Sequence, residues 1–456
     1  MERGTQRTLA LLLGDAVFIP LAYVGAYFLR FGTLALFEEK FSPVFLAMTT
    51  AGYLMVFYFF DLYAVDRDAR NRSLAVRLIP AVGVSAVLAS LLKYVFFLFP
   101  IGRGLLVIAN ALLIVVLAAW RMIGFRIFRM IGKPNPVLIL GCGKGAAEIS
   151  DLLRARPQDY ALVGFLAEES DAAAGVGPIL GNQRRLSEIL DAQEVKIVVR
   201  TEMPGGAVLT AADILQAHHR AVEVIGVPEM YRRLEFRIPI DYIKDESFFL
   251  QIKGFALADN LPAGKIKRIF DVALAGLLFL AALPLWLLIA LLIKIESKGP
   301  VFYSQRRVGK NGTEFRLHKF RSMAKNAESA APVWAKENDR RVTRVGRVLR
   351  ALHLDELPQL WNVLRGEMSL VGPRPERPEF VSRLEREISF YALRHFVKPG
   401  LSGWAQINYP YAASTKDSKE KLEYDLYYIS RMNLVFDLKI LIETLSGVFP
   451  GRRRRR

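Results

Sequence analysis

Residues 270–293 read FDVALAGLLFLAALPLWLLIALLI, an apolar run long enough to cross a bilayer as a helix. Pro284 lies at its centre, where it removes a backbone N–H group and clashes with the preceding turn, so a kink is expected. Because basic residues favour the cytoplasmic side, their presence at both ends predicts a re-entrant helix that enters and leaves on one face. A proline-kinked spanning helix is the alternative. The basic flanks are Lys265, Lys267 and Arg268 before the run, and Lys294, Lys298, Arg306, Arg307 and Lys310 after it.

Four further apolar stretches occupy the first third of the chain, at 8–29, 43–63, 79–100 and 104–120, each near the roughly 20 residues that a spanning helix needs. Arginines cluster before the first stretch, between the second and third, and after the fourth, whereas the other two loops carry few basic residues. The positive-inside rule therefore predicts a four-helix transmembrane unit over 1–133 with both ends cytoplasmic. A buried soluble bundle, the alternative, would not explain this alternation of charge.

Composition narrows the class of partner. The chain has 456 residues, 52% of them hydrophobic, and a formal net charge of +18. Such a charge suits nucleic acid, anionic lipid head groups or phosphorylated substrates, and the apolar runs favour the last two, so no nucleic acid partner is expected. Cys142 is the single cysteine, which excludes an intrachain disulfide, and the five histidines show no zinc-ligand spacing.

The middle of the chain, 134–258, alternates short apolar strands with helical patterns and predicts a small parallel α/β domain of Rossmann-like, CoA-binding-like type. A strand at 137–140 is followed by Gly141, Gly143 and Ala146 at the spacing of a dinucleotide-binding turn, which makes these three residues a candidate nucleotide site. A tight turn without a ligand is an equal alternative, because Glu168 comes later than the usual acidic partner.

Cations crowd the chain after residue 301. Arg344, Arg347 and Arg350 recur at about one helical turn and would share one face of an amphipathic helix on anionic lipid. Membrane anchoring and substrate contact are both open for Arg344 and Arg347, whereas Arg350 lies close to the next motif and is a catalytic candidate.

That motif runs LDELPQLWN over 354–362 and GEMSLVGPRP over 366–375. Locally, Asp355 is predicted to be a helix N-cap, with Glu356 and Pro358 in the first turn. Two adjacent carboxylates at a helix start could also share a divalent cation while one of them attacks phosphorus. Pro373 and Pro375 fix a rigid turn that presents Arg374 as a phosphate clamp.

The ordered motifs of the last 190 or so residues resemble the bacterial sugar transferase family, the monotopic polyprenyl-phosphate hexose-1-phosphate transferases. The four-helix unit and Rossmann-like domain ahead of them resemble the large-form members that act in exopolysaccharide or O-antigen assembly. The motifs are KRIFD at 267–271, GPVF at 299–302, HKFRSM at 318–323, LDELPQL at 354–360, MSLVGPRP at 368–375 and KPGLSGWAQ at 398–406.

The resemblance implies a fold and a function. The fold is a membrane α-helical N-terminal bundle, a small α/β Rossmann-like middle domain and a mostly α-helical catalytic domain over 259–456 with the re-entrant helix. The function is transfer of a sugar 1-phosphate from a UDP-sugar to undecaprenyl phosphate, at the bacterial inner membrane with the soluble domains cytoplasmic. The lipid bilayer is a further partner, and a homo-oligomer is a further expectation.

The resemblance also implies residue roles. Asp355 would be the nucleophile that forms a covalent phosphosugar and expels UMP, and Glu356 would assist and, with Asp355, hold Mg²⁺. The phosphate-contacting residues would be Lys319, Arg350 and Arg374, with Pro284 as the breaker of the re-entrant helix. Where many members carry Gly-Arg-Asn after the GWAQ motif, residues 408–411 read NYPY, which leaves the identity of the sugar open.

Two other functions compete with this one. A membrane-anchored nucleotide-sugar dehydratase would need a Tyr-x-x-x-Lys pair, and none of Tyr160, Tyr231 and Tyr242 has a lysine four residues on. A non-catalytic scaffold or regulator of polysaccharide assembly would bind lipid through its basic residues, but it has no need of Asp355 and Glu356 beside Arg374.

Overall fold

The chain divides into two units, Met1–Lys133 and Pro134–Arg456. The structure, a computed structural model, describes residues 3–34, 43–60, 62–63, 78–79, 81–90, 102–131, 134–167, 177–201, 210–243, 248–249, 261–323, 341–409 and 414–448.

The regular secondary structure among the described residues of the first unit is all helical. Two of its helices contain runs long and apolar enough to cross a membrane, Thr8–Phe31 and Gly104–Gly124. The predicted stretch at 79–100 lies outside the described residues at position 80 and from 91 onward, so four spanning helices remain a prediction. The described helices are α1 (Arg3–Phe31), α2 (Pro43–Phe59), α3 (Ala81–Ser90) and α4 (Arg103–Ile131).

A buried ion pair joins α1 to α4. Arg121 donates from NH2 to Asp15 at 2.5 Å, and both side chains are fully buried. Its NH1 group donates to the carbonyl oxygen of Leu62 at 2.8 Å, so three segments of the unit meet at one guanidinium. Taking such charges out of water is costly unless each has a partner, so removing either residue should loosen this unit.

The second unit opens with a five-stranded parallel sheet in the order β3-β2-β1-β4-β5. Val137 and Ile139 on the central strand point into one apolar core, and Leu138 and Leu140 point into another, because successive strand residues face opposite sides. The predicted parallel sheet is confirmed. Its elements are β1 (Asn135–Leu140), α5 (Lys144–Arg154), β2 (Tyr160–Leu166), β3 (Ile179–Gly181), α6 (Leu186–Ala192), β4 (Ile197–Arg200), α7 (Ala211–His219), β5 (Glu223–Gly226) and α8 (Val227–Leu234).

The rest of the unit is mostly helical, with an antiparallel pair, β6 and β7, and a short parallel pair, β8 and β9. The elements are α9 (Leu261–Glu296), β6 (Phe302–Val308), β7 (Glu314–Phe320), α10 (Arg344–Ala351), α11 (Gln359–Arg365), β8 (Ser369–Val371), α12 (Pro378–Glu387), β9 (Gly400–Ser402), α13 (Trp404–Asn408), α14 (Thr415–Arg431) and α15 (Leu434–Val448).

Residues between the parallel sheet and α9 belong to the core of this C-terminal part. Ile238, Ile240 and Phe249 are buried in the same cluster as Leu360 and Leu426. The segment is also held by hydrogen bonds: the indole N–H of Trp404 donates to Phe236 O at 3.0 Å, and Ile238 N–H donates to Glu423 O at 3.1 Å. The apolar pattern alone did not indicate that this segment packs against elements far along the chain.

The long helix α9 contains a 33-residue run, Gly264–Glu296, that is long and apolar enough to cross a membrane. It continues through Pro284 without interruption, so the proline does not end the helix. Its polar residues at both ends bind the C-terminal part. Arg268 donates to Val363 O at 2.6 Å, and Glu296 accepts from Arg344 N–H at 2.6 Å.

Candidate active site

Asp355 and Glu356 lie in a single 3-10 turn, Leu354–Glu356, between α10 and α11. The predicted N-cap role of Asp355 is wrong, because α11 starts at Gln359 with Pro358 as its N-cap. Pro358 has no N–H group with which to bond Leu354 O, so the turn closes instead through Leu357 N–H to Leu354 O at 3.3 Å.

The Glu356 carboxylate is bound by two cations at one oxygen. Its Oε1 accepts hydrogen bonds from Lys319 Nζ at 2.7 Å and from Arg374 NH2 at 2.8 Å. Burial by itself raises the pKa of Glu356, but the charges and hydrogen bonds of Arg374 and Lys319 outweigh that effect and hold the pKa well below its usual range. Glu356 is therefore ionised, and it brings together two of the residues predicted to contact phosphate.

The Asp355 carboxylate, by contrast, has no hydrogen bond or ion pair among the residues that the structure describes. It is 8% exposed. Burial raises its pKa; Lys319, Arg350 and Arg374 oppose this, and the charge of Glu356 adds to it. An unpaired, poorly solvated carboxylate keeps its lone pairs available, which is what a nucleophile requires.

Arg350 is the third predicted phosphate ligand and lies on the last turn of α10. Its Nε donates to Ser322 Oγ at 2.8 Å, and the guanidinium is close enough to Asp355 to lower the pKa of that carboxyl. Arg344 and Arg347 on the same helix are exposed. The structure thus brings Lys319, Arg350 and Arg374 around the two carboxylates.

Two supporting residues were not predicted from the sequence. The Asn362 side chain is fully buried; its Nδ2 donates to Arg316 O at 2.7 Å and its Oδ1 accepts from His318 N–H at 3.1 Å. It thereby joins α11 to the strand that carries Lys319. Arg268 bonds Val363 O and Leu364 O at the far end of α11, at 2.6 and 2.8 Å. Both residues lie inside motifs quoted above, yet motif position alone does not reveal a bridging role.

The part of the chain that holds this site is similar in sequence to known proteins. A sequence model of the family described as "Bacterial sugar transferase" matches residues 263–451. A UDP-glucose:undecaprenyl-phosphate glucose-1-phosphate transferase of Caulobacter vibrioides is 42% identical over 184 residues, 40% of this chain and 69% of that relative. The chain belongs to the bacterial sugar transferase family.

Two further relatives of this family differ in the sugar that their names give. A UDP-N-acetylgalactosamine-undecaprenyl-phosphate N-acetylgalactosaminephosphotransferase of Aeromonas hydrophila is 43% identical over 230 residues, 50% of this chain and 53% of the relative. A UDP-glucose:undecaprenyl-phosphate glucose-1-phosphate transferase of Xanthomonas campestris pv. campestris is 34% identical over 322 residues, 68% of this chain and 66% of the relative. The matches thus span about half to two thirds of the length of these two proteins.

The carboxylate oxygens of Asp355 and Glu356 decide whether the predicted Mg²⁺ site is chemically possible. Among the described residues, no three His, Cys, Asp or Glu side chains cluster as a metal site. Mg²⁺, however, usually keeps several waters and takes one or two carboxylates plus substrate phosphates. The Asp355 oxygens and Glu356 Oε2 accept no hydrogen bond from described residues, so this pair fits such a partial donor set.

The candidate nucleotide site of the middle sheet lies in the turn after β1. Gly141 has φ +102°, a conformation that favours glycine, and Gly143 is the N-cap of α5 without a side-chain cap. Ala146 is fully buried inside α5, and Tyr242 packs against the neighbouring Gly145. Glu168 lies outside the described residues. The Rossmann-like description and the nucleotide site remain predictions.

Proposed function

We propose that this protein transfers a sugar 1-phosphate from a UDP-sugar to undecaprenyl phosphate, releasing UMP and initiating exopolysaccharide or O-antigen assembly. The proposal rests on the arrangement of two neighbouring carboxylates. Asp355 is buried without a bonded partner among the described residues, and Glu356 accepts hydrogen bonds from Lys319 and Arg374. The relatives' names supply the two substrate classes. Because those names differ in the sugar, UDP-glucose and UDP-N-acetylgalactosamine are both candidate donors.

In the first step an oxygen of Asp355 attacks the sugar-bearing phosphorus of the donor. The bond from that phosphorus to the oxygen bridging it to the uridine-bearing phosphate breaks, and UMP leaves with the electron pair. Lys319, Arg350 and Arg374 balance the negative charge on the phosphate oxygens, which is the larger part of catalysis in phosphoryl transfer. The raised pKa of Asp355 suits a carboxylate that is poorly solvated before it attacks.

In the second step an oxygen of undecaprenyl phosphate attacks the same phosphorus. The bond from phosphorus to Asp355 breaks, the carboxylate is regenerated, and undecaprenyl diphosphate-sugar forms. Dividing the transfer in this way lets a soluble donor leave before the lipid acceptor binds, so ping-pong kinetics are expected.

Mg²⁺ is part of the proposal. Asp355 and Glu356 Oε2 would hold it together with the donor phosphates, and the ion would neutralise charge on the pyrophosphate. Glu356 Oε1 stays bonded to Lys319 and Arg374.

A re-entrant α9 is supported by what binds its two ends. Near its start, Lys267 Nζ donates to Asp437 Oδ2 at 2.5 Å, and Asp271 Oδ1 accepts from Leu370 N–H at 3.2 Å. At its end, Glu296 accepts from Arg344 N–H and Val345 N–H. A straight span would put these two ends on opposite sides of the membrane, whereas both bind the part of the chain that holds Asp355.

The test is UMP release from a panel of UDP-sugars by the purified protein in nanodiscs containing undecaprenyl phosphate. Intact-protein mass spectrometry with the active donor and no lipid acceptor should then show a phosphosugar adduct that Asp355→Asn lacks. No release from any UDP-sugar would favour the scaffold alternative. Release without an adduct, and with kinetics that require a ternary complex, would leave Asp355 as a metal ligand.

A further inference from the structure

Four consecutive backbone carbonyls, those of residues 373–376, each accept a hydrogen bond from another part of the chain. Pro373 and Pro375 have no N–H group, so at these two positions the carbonyl oxygen is the one backbone group that can be fixed by a hydrogen bond. The four bonds are Gly400 N to Pro373 O at 2.9 Å, Arg394 NH2 to Arg374 O at 3.0 Å, Arg307 NH1 to Pro375 O at 3.1 Å and Val308 N to Glu376 O at 2.9 Å.

Of the two arginines that donate to this turn, Arg394 has the more deeply buried side chain, 6% exposed against 18% for Arg307. Besides Arg374 O, its NH2 group donates to Asp425 Oδ2 at 2.9 Å, and its NH1 group donates to Tyr391 OH at 2.6 Å. Asp425, on α14, balances the charge. The two terminal nitrogens of Arg394 together bond three partners, and this planar group cannot rotate without losing several charge-assisted bonds, so it is a rigid support.

The side chain of Arg374 has much less support than its backbone. It is 41% exposed, and within the described part of the chain its guanidinium bonds only Glu356 Oε1, from NH2 at 2.8 Å. A long flexible side chain on a free turn would sample many positions, and a displacement of about 1 Å at a catalytic group can cost on the order of 100-fold in rate. The position of this guanidinium therefore depends on how firmly the backbone of Arg374 is held.

We propose that Arg394 is a positioning residue for phosphate transfer: it fixes the carbonyl of Arg374 and so aims the Arg374 guanidinium at Glu356 and the donor phosphate. The inference rests on the proposed function. Arg394 acts through Arg374, so its contribution should disappear when the Arg374 side chain is removed. Lysine cannot replace it, because a single ammonium lacks the planar fork that reaches Arg374 O, Asp425 and Tyr391 together.

A double-mutant cycle separates positioning from general structural support. kcat/KM for UMP release is measured for the wild type, Arg394→Gln, Arg374→Gln and the double variant. We expect Arg394→Gln to lose roughly 10- to 100-fold in the wild-type background and less than about 3-fold in the Arg374→Gln background, since coupled residues are not additive. Equal losses in both backgrounds would overturn the proposal.

The controls address folding and the bond pattern. Arg156→Gln removes an arginine of the parallel-sheet region that also bonds backbone carbonyls, those of Leu152 and Leu234, and one carboxylate, that of Glu235. It should not couple to Arg374→Gln, and coupling of similar size would count against the proposal. Asp425→Asn, which keeps Arg394 but removes its carboxylate partner, enters the same cycle in case Arg394→Gln does not fold.

The cycle is repeated with UDP binding, measured as the ligand-induced shift in melting temperature. A wild type that binds UDP but releases no UMP from any donor would overturn the proposed function alone. In that case the UDP cycle decides the role of Arg394: coupling to Arg374 supports positioning, and additive losses of UDP binding overturn it.

Discussion

The carboxylate of Glu296 accepts a hydrogen bond from the backbone N–H of Arg344 at 2.6 Å, across 48 residues of chain. The same carboxylate accepts from Val345 N–H at 3.0 Å, and Thr343 Oγ1 accepts from Gly346 N–H at 2.9 Å. The first three N–H groups of α10 are therefore all bonded by side chains. The end of the apolar helix α9 is thereby joined to the helix that carries Arg350.

Glu296→Ala should lower the free energy of unfolding by roughly 1–3 kcal/mol, because it leaves two helix N–H groups unbonded and removes a charge that favours the helix N-terminus. Activity should fall as well, since Arg350 lies on the same helix. Chemical unfolding in detergent measures the first effect. Glu314→Ala is the control: this glutamate is exposed and lies 3.7 Å from Arg306, so its loss should change stability by less than about 0.5 kcal/mol.

Asp355→Asn should abolish turnover, by about 10³-fold or more, and yet stabilise the fold at neutral pH. Burial raises the pKa of Asp355. Ionisation of this carboxyl therefore lowers the free energy of unfolding of the wild type once the pH rises above the ordinary aspartate pKa of about 4. The stability gain of the variant should thus appear above that pH and vanish below it. Glu379→Gln, at an exposed carboxylate, should show neither effect. An Asp355→Asn variant less stable than the wild type at pH 7 would contradict this account.

Glu356→Gln should have the opposite pH signature. The pKa of Glu356 is lowered by Arg374 and Lys319, so its ionised form contributes stability above the unfolded value of about 4.3, and that stability is lost as the pH falls towards the folded pKa. The variant should therefore be less stable than the wild type at pH 7, with a gap that narrows below about pH 4. If the free energies of unfolding of Asp355→Asn and Glu356→Gln changed with pH in the same way, the opposite pKa shifts assigned to the two carboxyls would be wrong. In Glu356→Gln, the rate of UMP release and the dependence of that rate on Mg²⁺ should both fall.

Two truncations test where the catalytic part begins. Deleting residues 1–235 keeps Ile238, Ile240 and Phe249, which are buried in the C-terminal core, whereas deleting 1–258 removes them. The shorter deletion should retain UMP release, and the longer one should lower the melting temperature and the folded yield, because each lost core side chain costs about 2–5 kcal/mol. Equal behaviour of the two truncations would show that this segment is dispensable.

Cysteine labelling tests the path of α9. In a Cys142→Ala background, Lys265→Cys and Lys310→Cys should both react with a membrane-impermeant maleimide from the cytoplasmic face, as expected for a re-entrant helix. Labelling from opposite faces would establish a span. Pro284→Leu should favour the straight span and reduce activity, because it restores the missing backbone hydrogen bond at the centre of the helix.

Sequence patterns located much of the fold. The strand expected at 137–140 agrees with β1 to within two residues, and the alternation of strands and helices expected over 134–258 agrees with the parallel sheet, because buried parallel strands are short apolar runs. The short strand β3 was not predicted, since three residues give no periodicity. The N-cap prediction for Asp355 failed because the missing N–H of Pro358 divides the segment into a 3-10 turn and a helix.

The candidate site was only partly visible in the sequence. Asp355, Glu356, Lys319 and Arg374 came from motifs, Arg350 came from its position shortly before one of them, and the structure brings all five together. Arg394 could not have been found that way, because it binds a backbone carbonyl 20 residues away and a carbonyl carries no residue identity.

The attachment of both ends of α9 to one part of the protein bears on how the chain enters the membrane. Placing a lysine or arginine at the bilayer centre costs about 2.5–3.5 kcal/mol on insertion scales. In the re-entrant topology that we propose, neither Lys267 and Arg268 at one end nor Lys294 at the other has to cross the hydrocarbon layer. Insertion of this segment then requires no exported loop, and partitioning of its leucine-rich face is sufficient to drive it.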